Sequence, residues 1–271
     1  MSEHTKQSIE DSIRSRYHKE LFAPFTKACR DYRLIEDGDK IAVCISGGKD
    51  SMLLAKLFQE IQKHDKVHFE LLFLAMDPGY TEENRELLLR NADLMGIPLT
   101  IFGSDIFETA DTSDKGTCYR CARMRRGYLY SKAKELGCNK IALGHHYDDV
   151  IETILMGMLY GGQIQSMMPK LRSRNYEGME LIRPMYLIRE EDICAWRDSN
   201  GLRFLDCACR VTERREESSS KRAEIKRLIA SMKKDNPAVE ANIFRSVENV
   251  DLDTVIEYKK DGKRHSFLED Y

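Results

Sequence analysis

The sequence holds no apolar run near the ~18 residues that a membrane-spanning helix requires, so a transmembrane protein is not expected. Its opening stretch, MSEHTKQSIEDSIRSRYHKE, has no apolar h-region. A secretory signal is therefore not expected, and cytoplasmic residence is the default reading. Net charge is also small. The 43 Lys and Arg against 45 Asp and Glu give −2. A balance near zero excludes no partner, because charge can be spread unevenly. There is no internal repeat, which excludes a solenoid or propeller array. What is present is an ordinary soluble mixture, 42% hydrophobic and 32% charged, in 271 residues. That length allows one large or two small domains.

The eight cysteines do not read as a disulfide framework in a reducing compartment. Cys29, Cys44, Cys138 and Cys194 stand alone in apolar or helical patterns and are expected to be small buried hydrophobes. The other four are clustered, as Cys118-Tyr-Arg-Cys121 and Cys207-Ala-Cys209. Such spacing signals a redox pair, a zinc site or an iron–sulfur cluster. Around the first pair, Lys115 to Glu135 carries seven basic residues and one acidic, a local charge of +6. This is either a solvated helix face or a phosphate-contacting patch.

Continuous apolar runs of strand length alternate with helical periodicity. Lys40–Ile45, Phe69–Met76, Pro98–Phe102, Lys140–Leu143 and Glu180–Ile182 read as strands. The intervening segments read as helices, which implies right-handed crossovers. The expectation is an α/β fold: an open, mostly parallel five-stranded sheet with helices on both faces. Residues 1–36 are expected to be an N-terminal helical segment, with one amphipathic helix over 8–32. Residues 37–210 would form the main domain. Residues 211–271 would be a charged helical tail, frayed from about Asp261.

The most informative segment is Ser46-Gly47-Gly48-Lys49-Asp50-Ser51, between the first strand and a helix. Paired glycines let the backbone approach an anion, and the helix N-terminus adds free N–H groups. It is neither G-x-x-x-x-G-K-[ST] nor G-x-G-x-x-G, so a Walker loop and a nicotinamide cofactor are disfavoured. An aspartate beside a phosphate site makes sense with an intervening cation, pointing to ATP with Mg²⁺. Gly144-His145-His146-Tyr147-Asp148-Asp149 ends the fourth strand, where open α/β sheets bind ligands. Asp148 or Asp149 is the candidate second carboxylate for Mg²⁺ or the reacting group.

The Ser46–Ser51 hexapeptide resembles the signature of the PP-loop ATP pyrophosphatases. That resemblance implies cleavage of ATP between the α and β phosphates and transfer of AMP to a substrate oxygen. Other stretches narrow it: Cys118 to Arg126, Lys140 to Asp149, Met158 to Gly162, Pro169-Lys170, Ile182-Arg183-Pro184, Ile35 to Asp39 and Met76 to Tyr80. Together they resemble the tRNA 2-thiocytidine synthetase (TtcA) family across roughly residues 15–210. The resemblance implies an enzyme that adenylates the C2 oxygen of an anticodon-loop cytidine and replaces it with sulfur, using a 4Fe–4S cluster held by three cysteines.

Carried over by residue, Cys118 and Cys121 are two cluster ligands. Cys207 is the third, with Cys209 as the alternative, because the family spaces its second pair by two residues and only Ala208 intervenes here. Ser46, Gly47, Gly48, Lys49, Asp50, Ser51, Met76 and Gly144 would bind ATP. Asp50 and Asp149 would hold Mg²⁺. Asp50, Asp148, Asp149 and Arg125 would be catalytic. Arg120, Arg123, Arg126, Lys170 and Arg172 would face RNA. Implied partners are tRNA, a sulfur donor such as a cysteine desulfurase, and a second copy in a homodimer. Two competing readings stand beside this one. One is a cluster-free ligase of the lysidine synthetase type, which needs no cysteines. The other is a non-catalytic zinc- and RNA-binding protein.

Overall fold

The computed structural model describes residues 5–64, 67–103, 117–205, 221–269 and 271, and for 117–123 and 125 the backbone alone. The chain forms two compact units. The first is Met1–Val150 with Met167–Ser220; the second is Ile151–Ser166 with Lys221–Tyr271. Among the described residues no helix is long and apolar enough to cross a membrane.

The first unit begins with α1 (Lys6–Arg14), a π-turn (His18–Phe22) and α2 (Ala23–Asp31). The single helix expected over 8–32 is broken, and its apolar spacing explains why. Buried Ile9, Ile13, Tyr17, Leu21 and Phe25 recur every four residues, more slowly than the α-helical period. The π-turn widens the helix and keeps that stripe facing the core. Pro24 then starts α2, where its missing N–H costs nothing. The main fold follows as β1 (Lys40–Ile45), α3 (Lys49–His64), β2 (Glu70–Asp77), α4 (Glu82–Met95), β3 (Leu99–Gly103), α5 (Thr117–Glu135), β4 (Lys140–Ala142), α6 (Tyr147–Gly161, counted with the second unit from Ile151 on), β5 (Lys170–Arg172), β6 (Glu180–Ile182) and α7 (Glu190–Ser199).

The sheet has six strands in the order β3-β2-β1-β4-β6-β5, one more than expected. All pairings are parallel except β5 with β6. The extra strand is short and an edge, with only Lys170, Leu171 and Arg172 paired, so it has no buried apolar run to announce it. β1 is central and buried from Ile41 to Ile45, as a strand covered on both faces must be. The α4 boundaries follow local chemistry. Thr81 accepts from the Asn84 amide, and Gly96 ends the helix at φ +62°.

Two buried ion networks tie the layers together. Lys56 is fully buried on α3, with Nζ 2.7 Å from Glu10 of α1 and 2.8 Å from the Met95 carbonyl. At the amino end of the sheet, buried Lys140 lies 2.6 Å from Asp39 and 2.9 Å from Glu36. Asn139 completes this second network by donating to Asp39 at 2.7 Å.

In the second unit, α8 (Lys221–Asp235) and α9 (Val239–Arg245) bury Ile225, Ile229, Val239 and Phe244. Beyond them the expected frayed end is instead a hairpin, β7 (Glu257–Lys260) with β8 (Lys263–Ser266). The turn is Asp261-Gly262, both at positive φ (51° and 78°). Asp-Gly is the residue pair that a two-residue hairpin turn favours, and it overrides the polar composition of the strands.

Candidate active site

The strand order reverses direction between β1 and β4, and open α/β sheets bind ligands outside the carboxyl ends at such a point. A cavity of about 350 Å³ opens there. Ser46, Asp50 and Ser51 line it after β1; Met76, Pro78 and Tyr80 after β2; Gly144, His145 and Asp149 after β4. Leu129 of α5 adds an apolar wall.

The loop after β1 is held from within. The Ser46 amide donates to Ser51 Oγ at 3.1 Å, and Ser51 Oγ donates to the Gly48 carbonyl at 2.9 Å. Gly47 has φ +86°, a conformation that glycine adopts freely. A Cβ there would meet Leu205 Cδ1 at 2.6 Å. The Leu205 amide in turn donates to the Gly47 carbonyl at 3.1 Å. Gly144 packs closely from the other side, since a Cβ on it would lie 3.1 Å from the Asp50 carbonyl carbon.

The acidic residues separate by role. Asp50 Oδ1 is buried and accepts no hydrogen bond among the described residues, although the Lys49 ammonium lies 3.2 Å from it. Burial raises the Asp50 pKa, and the charge of Asp149 adds to the rise; Lys49 and His146 oppose it. His146 stands between the carboxylates, with Nε2 4.0 Å from Asp50 and 3.5 Å from Asp149. Asp149 also accepts from the His146 amide at 3.1 Å, which fixes it at the α6 N-terminus. Asp148 is engaged elsewhere. It accepts from the Glu190 amide at 2.7 Å and pairs with Arg189 at 3.4 Å, joining the starts of α6 and α7. Lys49 Nζ is shared between Asp50 at 3.2 Å and Glu190 at 3.3 Å. Burial works against the Lys49 ammonium, but the two carboxylates outweigh it and raise its pKa.

Among the described residues no group of three or more His, Cys, Asp and Glu is arranged to hold a metal. Asp50 and Asp149 suit Mg²⁺ in another way, since that ion commonly takes one or two carboxylates with phosphate oxygens and water. A cation would also engage the buried Asp50 oxygen, which has only the shared Lys49 ammonium beside it at 3.2 Å and His146 at 4.0 Å among the described residues.

The sequence-derived residues thus divide. Ser46, Asp50, Ser51, Met76, Gly144 and Asp149 meet at one cavity. Lys170 is tied to the Arg33 carbonyl at 2.9 Å and to Glu180 at 3.1 Å, while Arg172 and Arg126 are exposed. Cys118 and Cys121 fall in the first turns of α5, as do Arg120 and Arg123; their side chains and that of Arg125 lie outside the described residues. Cys207 and Cys209 lie wholly outside them. Three of the four lone cysteines behave as expected, while Cys194 on α7 is only half-buried. Cys29, Cys44 and Cys138 are buried, and burial pushes the Cys44 thiol up to about 12 and that of Cys138 to about 11.

Sequence reasoning missed Leu205, Glu190 and Leu129, which reach the site by long-range packing and carry no local motif. It also missed buried Arg183, just after β6. Burial and the charge of Arg126 push its pKa down to about 10, and its Nε has no hydrogen-bond partner among the described residues.

A glycine loop at a switch point, a helix N-terminus behind it and two carboxylates match the ATP-binding α/β domains of the PP-loop class. Comparison with known proteins agrees: the PP-loop domain family matches residues 15–209. A tRNA-cytidine(32) 2-sulfurtransferase of Syntrophotalea carbinolica is 36% identical over 227 residues, 83% of this chain and 86% of its own. One from Neisseria meningitidis serogroup C is 39% identical over 213 residues, 76% of this chain and 65% of its own. The chain belongs to the tRNA-cytidine(32) 2-sulfurtransferase family of PP-loop proteins. Its fold is also that of the U34-tRNA thiolase NcsA from Methanococcus maripaludis, solved with its [4Fe-4S] cluster. The TM-score is 0.67 at 20% identity, over 90% of this chain and 78% of that one.

Proposed function

We propose that this protein is an ATP-dependent tRNA thiolase that converts an anticodon-loop cytidine to 2-thiocytidine. The observation that carries the reading is the hydrogen bond from the Leu205 amide to the Gly47 carbonyl. It fastens the phosphate loop to the segment that continues, two residues later, to Cys207. The other cysteine pair approaches the same end of the sheet. α5 precedes the parallel strand β4 and packs on β2 and β4, so it runs against the strands and starts at their carboxyl ends. A ligase would have no use for thiols at both of these places.

The chain's own groups have distinct tasks. The loop Ser46–Ser51 and the start of α3 cradle the β and γ phosphates, with Lys49 neutralising them. Asp50 and Asp149 would hold Mg²⁺, which would neutralise charge on the phosphates. Met76 and Leu129 offer the adenine an apolar wall. The cytidine C2 oxygen attacks the α phosphorus, the bond to the β-phosphate oxygen breaks, and pyrophosphate leaves. Adenylation turns a poor leaving group into a good one; sulfide then adds at C2 and AMP departs with the oxygen. A 4Fe–4S cluster held by Cys118, Cys121 and Cys207, or Cys209 in its place, would supply an iron that carries the sulfide. A sulfur donor such as a cysteine desulfurase replenishes the sulfur; it delivers sulfur as a persulfide, and two electrons from a thiol reductant release that sulfur as sulfide. The active species is a homodimer resident in the cytoplasm.

The test is anaerobic purification with iron and sulfide analysis, then mass spectrometry of tRNA nucleosides after incubation with ATP, Mg²⁺ and a sulfur source. Brown protein and 2-thiocytidine are expected, both lost in Cys118→Ala. Full activity in that variant, or a colourless protein that makes no thiolated nucleoside, overturns the proposal.

A further inference from the structure

The β7–β8 hairpin breaks a rule of sheet pairing. Lys259 stands directly opposite Arg264, and Lys260 directly opposite Lys263. Like charges at paired positions destabilise a hairpin, and a two-stranded hairpin is marginal to begin with. All four side chains are exposed. Only Arg264 has a carboxylate close by among the described residues, Glu257 at 3.4 Å. The face that carries Lys260 and Lys263 also carries Tyr258 and His265, since alternate residues share a face. These two half-buried rings are stacked, 5.0 Å apart and 18° from parallel. Local violations of this kind are expected where function compensates for them.

We propose that this hairpin is an RNA-contacting element: the Tyr258–His265 face receives an unpaired base with Lys260 and Lys263 on its phosphates, while Lys259 and Arg264 on the opposite face of the ribbon take phosphates flanking it. Cations beside an aromatic platform are the combination that single-stranded nucleic acid takes. An acidic protein surface would satisfy the cations but leave the stacked rings unused. The inference rests on the reading of the substrate as tRNA, and it adds a second contact region outside the matched PP-loop residues.

The test replaces Lys259, Lys260, Lys263 and Arg264 together by Thr in the full chain, with Arg at all four positions as the charge-keeping control. Binding of unmodified tRNA is measured against salt concentration. Each lost phosphate contact should lower the log–log salt slope by about 0.7 to 0.9, so a drop of roughly 3 is expected, with affinity down tenfold or more. The Arg variant should bind like the parent. The melting temperature of the Thr variant should hold or rise, because repulsion is removed. A structural role predicts the opposite, a lower melting temperature with unchanged affinity. An unchanged slope in the Thr variant overturns the proposal. If the parent binds tRNA yet makes no 2-thiocytidine, the thiolase reading fails while the hairpin assignment holds. A parent that binds no tRNA ends both.

Discussion

Gly47 and Leu205 offer a test of the coupling between phosphate loop and cysteine segment. Replacing Gly47 by Ala does two separable things. It forces a side chain onto a backbone at φ +86°, a cost of roughly 1–2 kcal/mol for an L-residue. It also drives a Cβ to 2.6 Å from Leu205 Cδ1 and 3.2 Å from its Cγ. Overpacking of that kind costs about 1–3 kcal/mol. Replacing Leu205 by Ala removes both colliding atoms but forfeits a buried side chain, at about 2–3 kcal/mol for a site at the margin of the core. In the double variant the backbone strain and the lost burial remain, while the collision is gone.

The double-mutant cycle should therefore show a favourable coupling of about 1–3 kcal/mol. Urea denaturation reads it directly. The single tryptophan, Trp196, is fully buried in the first unit and reports on that unit alone. Additive losses, within about 0.5 kcal/mol, would show that Leu205 does not rest on the loop. The link from phosphate site to Cys207 would then be lost with it.

Two further outcomes follow from the charged groups. Burial raises the Glu10 pKa, but hydrogen bonds and charge from Lys56 and Lys63 outweigh it and bring the value from 4.5 down to about 2. A depressed carboxyl stabilises fully above its unfolded pKa, so this contribution should persist above about pH 4.5 and fade towards pH 2. Glu10→Gln should flatten that share of the acid dependence of the urea midpoint and cost about 3 kcal/mol at pH 7, because it strands the buried Lys56; an unchanged acid limb refutes it. At the active site, Asp149→Asn should weaken the Mg²⁺ dependence of pyrophosphate release and slow it roughly a hundredfold. Asp148→Asn should leave the Mg²⁺ dependence intact and lower the melting temperature, since its carboxylate serves the α7 start; the reverse pattern would exchange the two roles.

Much of the fold is written locally. The run Lys40–Ile45 is continuous because β1 is covered on both faces, and Thr81 and Gly96 mark α4 through their own backbone chemistry. The failures have physical causes as well. A four-residue apolar repeat resembles one helix until its drift is followed over four turns, and the π-turn is what absorbs it. β5 has three residues and is edge-paired, so its pattern is too short to rise above its surroundings. The terminal hairpin was hidden because its strands are basic rather than apolar, although Asp261-Gly262 carried the turn signal.

The candidate site divides along the same line. Groups that act through backbone conformation, such as Gly47, Gly144 and the α3 N-terminus, are legible because few residues can take those positions. Groups that act through tertiary contact are not. Nothing local distinguishes Asp148 from Asp149; the difference arises because the Glu190 amide, 42 residues further on, claims one carboxylate and leaves the other to the cavity. Lys49 shows the consequence. With Glu190 sharing its ammonium, Asp50 is not fully neutralised by its neighbour and, among the described residues, keeps an oxygen without a hydrogen bond. The same α7 start thus withdraws one carboxylate from the cavity and holds part of the lysine's charge off another, which keeps Asp50 and Asp149 as the pair suited to a divalent cation.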